Sequence, residues 1–403
     1  MGILEMKMFR KISFCAVASV ILTAAPALAA DKVIKVGMIA TLSGPSASLG
    51  ENIDRGAQLY FDNHQAELPP GVKVELIKRD DTGPNPGVAK RLAQELIVRD
   101  HVQFLAGIVF TPNAAAIAPL ATESKTPLVL MNASTSNLTR LSSYIARVSY
   151  TQWQTAHTLG QWAARNGFNK VFIAVSDYAA GIDSEKAFEA GFVGDGRQIV
   201  GRIHMPQSTP DYVPYMQSVK DAKPDALFMF TNAGRITTAA VKGFAEAGLT
   251  QAGITLLGPG DIASDEELDN MGDAALGTTT AAIYSANDPR PENVAFIKLW
   301  KKAYGNDSIP SFMAVCGWDG MAAIFSAIKA QKGVVTGDGS MQALKNWSNP
   351  SSPRGPVAID PETRDVTMDV YIDKVEKVGN KLVNVNMETI HNVKDQWKIL
   401  NPQ

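Results

Sequence analysis

Three stretches hold the side chains from which chemistry would come. "ATLSGPSASLG" runs from Ala40 to Gly50, "GIVFTPNAAAIAP" from Gly107 to Pro119, and "LVLMNASTSNLT" from Leu128 to Thr139. Each begins as an apolar run and ends in Ser, Thr or Asn. Hydroxyls and unpaired backbone N–H groups at the start of a helix attract anions, helped by the helix dipole. Neutral donors of this kind hold a carboxylate without reacting with it. The same residue types also cap helices. One such end is ordinary capping. Three on one sheet edge read as a ligand site, because open α/β sheets bind ligands outside the carboxyl ends of their strands.

Signs of catalysis are missing from the sequence. There is no GxSxG, HExxH or GxxxxGK[ST]. The histidines His64, His101, His157, His204 and His391 have no metal-ligand spacing and read as packing or surface residues. "SAIK", Ser326 to Lys329, matches SxxK only by chance, inside an amphipathic helix. Asp80 and Asp81 end a strand before the turn "TGPNPG" rather than hold a metal. No His lies in the loops of Thr111 or Ser134, so neither hydroxyl has a base. The chain is therefore read as a binding protein, not an enzyme, with no cofactor and no metal.

The elements that position these stretches alternate. "VIKVGMIA", "VKVELIKR", "VQFLAGIV" and "TPLVLM" read as strands, and "ENIDRGAQLYFDNHQ" and "PGVAKRLAQELIVRD" as helices, the second with Pro at its start. Strand then helix, repeated, implies parallel βαβ units with helices on both faces. The pattern restarts after Tyr150: helix "TQWQTAHTLGQWAARNG", strand "KVFIAV", helix "IDSEKAFEAGF", strand "DALFMF", helix "RITTAAVKGFAEAG", strand "ITLLGPGD". This predicts two doubly wound lobes. The last third holds "PENVAFIKLWKKAYG", "FMAVCGWDGMAAIFSAIKAQ" and the strand-rich "DVTMDVYIDKV", too little for a third domain. It returns to complete the first two.

Composition agrees with that organisation. Of the 403 residues, 45% are apolar and 19% charged, a core-forming balance of two-domain size. A formal net charge of −2 without long charge runs excludes nucleic acid as an expected partner. Lys7, Arg10 and Lys11, then "ISFCAVASVIL", then "ALA" at 27–29, read as a signal peptide over residues 1–29. The apolar run is too short to span a membrane comfortably. Cys15 leaves with that segment, so Cys316 remains alone and no internal disulfide is expected. Cys316 reads as a small core residue at the opening of a buried helix. No second segment of 18 apolar residues is recognised, so a soluble, exported, periplasmic protein is expected.

The blocks "IKVGMIATLSGPSASLGENIDRGAQLYFD", "DDTGPNPGVAKRLAQELI", "TPNAAAIAPLATESKTPLVLMNAS", "ARVSYTQWQTAHTLGQWAARNGFNKVFIAVSDYAAGIDSEKAF" and "GLTQAGITLLGPGD" resemble, in order and spacing, the periplasmic solute-binding proteins of branched-chain-amino-acid-type ABC transporters. The resemblance implies a type I periplasmic binding protein, or Venus flytrap. Two doubly wound α/β lobes would be joined by three crossover strands, near Ser149, near Ile283 and around Asp360. The lobes would be 30–149 plus 283–360, and 150–282 plus 361–403. It implies a ligand carboxylate held by Thr111, Ala133 and Ser134, with Asn113 and Thr135 beside them. Leu49 matches the family's first-lobe cleft aromatic. Tyr150, Trp153 and Tyr178 remain as aromatic walls, or as core.

Two departures bear on the ligand. Amino-acid binders of the family usually carry an acid directly after "GP", to pair with the ligand ammonium. Here Gly260 stands there, with Asp261 one residue later. Either Asp261 swings in, or the ligand has no ammonium, since an unpaired buried ammonium is costly. The second-lobe Tyr of the family is replaced by Ala233 or Gly234, which implies a wider pocket, and Gly83 and Phe110 stand where some relatives have a disulfide. The expectation is capture of an amino acid or related small carboxylate for an ABC permease and its ATPases, by a monomer. An aromatic or other non-amino acid or an amide is the alternative ligand. A ligand-sensing receptor and an exported hydrolase are the competing functions.

Overall fold

The computed structural model describes residues 1–2, 32–207, 209 and 211–402. Cys15 and the expected signal peptide, except for Met1 and Gly2, lie outside the described residues. The first sheet holds β1 (Lys32–Ala40), β2 (Val72–Asp80), β3 (Phe104–Gly107), β4 (Leu128–Leu130) and β5 (Ile145–Arg147). It is parallel throughout, in the order β2-β1-β3-β4-β5. Its connecting helices are α1 (Ala47–His64), α2 (Pro86–Val98) and α3 (Thr111–Ser124). Pro86 opens α2, and the Asn85 side chain accepts the Val88 N–H at 3.2 Å. Both faces of β3 and β4 are covered, so these strands are apolar without alternation.

The chain then crosses into α4 (Gln152–Arg165). Its start is a reciprocal cap, in which Thr151 Oγ1 accepts the Gln154 N–H and the Gln154 side chain accepts the Thr151 N–H. There follow β6 (Lys170–Ser176), α5 (Ala179–Phe192), β7 (Gln198–Met205), α6 (Val213–Ala222), β8 (Ala226–Phe230), α7 (Arg235–Glu246), β9 (Thr255–Pro259), the single turn α8 (Leu268–Met271) and β10 (Thr279–Ala282). Strands β7, β6, β8, β9 and β10 form the parallel part of the second sheet.

The last third supplies α9 (Pro291–Tyr304), α10 (Phe312–Ala330) and α11 (Gly337–Lys345), then β11 (Ser348–Asn349), β12 (Val357–Ile359), β13 (Val366–Val378), β14 (Lys381–Val393) and α12 (Gln396–Leu400). Helix α10 returns to α1 and the first sheet, whereas β13 pairs antiparallel with β10. Strands β11 and β12 fall inside the segment expected for the first lobe, yet join the second sheet through β13.

Helices α1 and α10 pack backbone to backbone. A Cβ on Gly56 would sit 1.8 Å from the Ala314 carbonyl oxygen, and one on Gly317 would sit 2.1 Å from that of Ile53. Only glycine permits this approach. Helix α10 corrects one expectation. On length and composition it could cross a membrane, with mean hydropathy 1.2, but 89% of it is buried inside the fold. Its apolarity serves a core surrounded by other elements. It also begins at Phe312, so Cys316 lies inside it rather than before it. Burial pushes that thiol up to about 12, and it is inert.

Candidate functional site

The site forms where the strand ends of the two sheets face each other. On the first lobe the chain leaves β3 through an unusual turn. Gly107 has φ +97°, and a Cβ there would lie 2.4 Å from the Ile39 carbonyl oxygen. Ile108 follows at φ +65°, a conformation that a β-branched residue rarely adopts. It is held by its N–H on the Ile39 oxygen (2.8 Å) and by its own oxygen, which accepts the Ala133 N–H (3.0 Å). This strained turn delivers Val109, Phe110 and Thr111 to the cleft, and strain of this kind collects at functional sites.

Thr111 opens α3, where Pro112 carries no N–H and the Asn113 and Ala114 N–H groups donate to the Phe110 oxygen. Its hydroxyl lies 2.8 Å from that of Thr135. The Ser134 hydroxyl accepts the Gln152 side-chain N–H at 3.1 Å, which leaves the Ser134 proton free to donate. Asn132 donates to the Val109 oxygen at 2.9 Å, and its own Oδ1 is buried without a partner.

From the second lobe, Tyr178 donates to Asn232 Oδ1 at 2.5 Å, and its ring stacks on Phe230 at 6.2 Å. Tyr150, on the first crossover, donates to the Asp261 carboxylate with both oxygens at 3.1 Å. Burial pushes Asp261 up to about 7, although the Tyr150 bond pulls the other way. Burial and then Asp261 raise both tyrosines above their ordinary range, so both stay neutral.

Together these line a cavity between the two lobes. Of the residues expected from sequence, Leu49, Thr111, Ser134, Tyr150, Tyr178 and Asp261 line it. Gly260 lines an adjoining chamber. Ala133 and Thr135 sit one residue to either side of Ser134 and act from behind, through the contacts to Ile108 and Thr111. Asn113 is turned away from the ligand cavity. It is fully buried, donates to Asp81 (2.8 Å) and to the Gly83 oxygen (2.9 Å), and so ties α3 to the end of β2. Trp153 is also outside the cavity. Its indole N–H donates to Asp183 at 2.9 Å, and Asp183 also accepts the Ser136 N–H at 3.0 Å.

The remaining walls come from Val109, Phe110, Asn132, Ala180, Phe230, Asn232, Ala233 and Met313. Among them, Asn132 begins the polar stretch after the fourth strand, Phe110 stands where some relatives have a disulfide, and Ala233 is expected as a small substitute. Asn132 and Asn232 each lie two residues past the end of their strand, a regularity that they share. No Lys or Arg lines the cavity, and Asp261 is its one acid among the described residues. Among the described residues no group of three or more metal-ligating side chains clusters anywhere. The arrangement can bind a small anion with neutral donors at one end and a hydrogen-bonding neutral group at the other.

Residues 33–380 match the family model described as periplasmic binding protein. The chain is 39% identical over 373 residues to Leu/Ile/Val-binding protein homolog 6 of Brucella melitensis, covering 92% of this chain and 94% of that one. It is 45% identical to the solute-binding protein of an ABC transporter from Rhodopseudomonas palustris BisB5, solved with 3,4-dihydroxybenzoic acid. That match has a TM-score of 0.87 and covers 91% of this chain and 99% of the other. A second R. palustris solute-binding protein, solved with 4-hydroxybenzoate, is 40% identical with a TM-score of 0.87, covering 92% and 100%. A leucine-binding protein from Thermotoga maritima shares the fold, at 20% identity and a TM-score of 0.77, covering 89% and 99%. The chain belongs to the periplasmic binding protein family, as a substrate-binding protein of the ABC-transporter type.

Proposed function

We propose that this protein captures a hydroxylated aromatic carboxylate in the cleft and delivers it to an ABC permease and its ATPases. The carboxylate lies against Thr111 and Ser134, the ring between Tyr178, Phe230 and Leu49, and a ring hydroxyl at Tyr150 and Asp261. One observation carries this choice over an amino acid. Asp261 faces the cavity without a cation and is lifted to about 7 by burial. A carboxyl group that is easily protonated tolerates an anionic ligand and exchanges hydrogen bonds with a phenol. The hydroxybenzoate complexes of the two R. palustris proteins support the same class.

The two lobes close about the three crossovers as the ligand bridges them. Closure is favoured only to the extent that the ligand contacts both lobes. Export relies on removal of residues 1–29, and the protein acts in the periplasm as a monomer.

A thermal-shift screen tests the reading. The mature chain, stripped of ligand, is heated with benzoate, 4-hydroxybenzoate, 3,4-dihydroxybenzoate, leucine and phenylalanine. A ligand at 100 times its Kd adds about 2.7 kcal/mol. Stabilisation by the hydroxybenzoates alone is expected. Stabilisation by leucine or phenylalanine, with none by the aromatic acids, overturns it.

A further inference from the structure

The Tyr150–Asp261 pair does not end the cleft. Both residues also line a second chamber on the crossover side. Its floor is made of small residues, Gly260, Ala263, Ala281 and Ala282, and its walls of Tyr284 and Phe312. Phe312 meets the Tyr150 ring edge to face at 5.8 Å. At the far end stand Ser264, Asp265 and Asn384.

Two polar atoms there are unsatisfied. Asn384 donates through Nδ2 to the Ala263 oxygen (2.8 Å) and to Asp265 (2.9 Å), which fixes its amide and leaves Oδ1 buried without a partner. Ser264 is 6% exposed, and its hydroxyl faces the Glu266 carboxyl without closing a hydrogen bond on it. Buried polar atoms without partners are uncommon, because each forfeits its desolvation cost. A small-residue floor, aromatic walls and unmet polar groups at the end describe a place for a ring substituent with a polar tip.

We infer that this chamber is an extension subsite of the cleft. It takes the far end of an aromatic carboxylate longer than a benzoate, when that end carries a hydrogen-bond donor such as a hydroxyl. This inference rests on the aromatic-acid reading above. Tyr150 is the partition. Swinging its ring off Asp261 joins the two chambers, and the incoming donor replaces the lost tyrosine hydroxyl at Asp261 or continues to Asn384 Oδ1. Ser264 supplies a hydroxyl that both donates and accepts. The carboxylate stays on Thr111 and Ser134, so the two ends of the ligand are read by different lobes.

The test is calorimetry on the full mature chain with two probes, 4-hydroxybenzoate as the short acid and 3-(4-hydroxyphenyl)propanoate as the long one. Two variants alter the chamber alone: Ser264→Ala removes its hydroxyl and Ala282→Leu fills it. The wild type is expected to bind both acids. Each variant is expected to weaken the long acid about tenfold, the loss of roughly one buried hydrogen bond or of its space, and to leave the short acid within about twofold. Binding of the short acid also shows that each variant is folded. If the long acid does not bind, or binds both variants as it binds the wild type, the subsite is overturned and the aromatic-acid reading stands. If neither acid binds the wild type, the aromatic-acid reading fails and the subsite fails with it. Should Ala282→Leu lose both acids, Ser264→Ala decides.

Discussion

Ser134 and Asp261 both line the cavity and make different demands on what enters it. Because Ser134 already accepts from Gln152, its proton is directed to whatever sits before it. Ser134→Ala is expected to weaken binding of a carboxylate by about 1–3 kcal/mol, the range for a hydrogen bond to a charged acceptor. Calorimetry checks this, and an unchanged Kd removes Ser134 from the cradle. Asp261 sets the pH dependence. It is raised to about 7, so it is largely protonated at pH 6 and largely ionised at pH 8. An anion sharing the cavity favours the protonated form. Affinity for aromatic acids should therefore fall as pH rises above about 7, by up to about tenfold per pH unit for one coupled proton. An amino acid whose ammonium needed the ionised form would show the opposite slope. Titrations between pH 6 and 9 separate the two, and Asp261→Asn should flatten the profile. Thr111 and Ser134 stand out in the sequence as polar groups at the ends of apolar strands, whereas Tyr150 and Asp261 are marked only through the family resemblance. The sequence concealed Phe230, Met313 and Val109, which look like any core residue. The turn at Ile108 was also hidden, since a β-branched residue predicts an extended backbone and only tertiary contacts hold it otherwise.

Among the elements, long amphipathic helices and the buried strands that lie inside longer apolar runs, such as β3, β4 and β8, were legible, and β5, β10 and β14 were not. Helices α1, α2, α4 and α7 fall where the 3.6-residue period put them. Strand β5 has three residues and β10 four, so neither leaves a periodic signal. β14 was missed because its alternation is weak, with most of its residues exposed or half-buried. Sequence also could not show that α5 meets the loop after β4. There Asp183 accepts the Ser136 N–H across the cleft while Trp153 fixes its other oxygen. Asp183→Ala removes both bonds and should shift the molecule toward its open form, weakening ligand binding by about 1–3 kcal/mol. Small-angle scattering with and without ligand is the check. An unchanged affinity and unchanged radius would mean that Asp183 does not hold the lobes together.

For the whole molecule, buried acids set the response to pH. Burial raises Asp261 to about 7, Glu266 to about 8, and Asp373 and Asp395 to about 6. Between about pH 4 and 8 the native chain holds protons that the unfolded chain has released, so stability falls as pH rises through that window. His157, lowered by burial, opposes the trend around its ordinary range but is one group against four. Below about pH 4 the lowered acids Asp80 and Asp360 reverse the slope as they are protonated. The melting temperature should thus be higher near pH 5 than near pH 8. A Tm that rises steadily from pH 5 to 8 would contradict this account of the buried acids. The two-lobe plan was legible because its alternation restarts after Tyr150. Strands β11 and β12, two and three residues long, carry no pattern that assigns them to either sheet.

The contact of Gly56 with Ala314 and of Gly317 with Ile53 has a kinetic meaning. One wall of the first lobe is made near the start of the chain and its counterpart near the end. Loops of that length are slow to close, and their cost precedes any gain from contact. A nascent chain therefore cannot finish its first lobe until α10 has been synthesised. A fragment ending at residue 290 should leave α1 unprotected in hydrogen exchange while α4 and α5 are protected. Such lateness suits a polypeptide that must stay threadable until it has crossed a membrane.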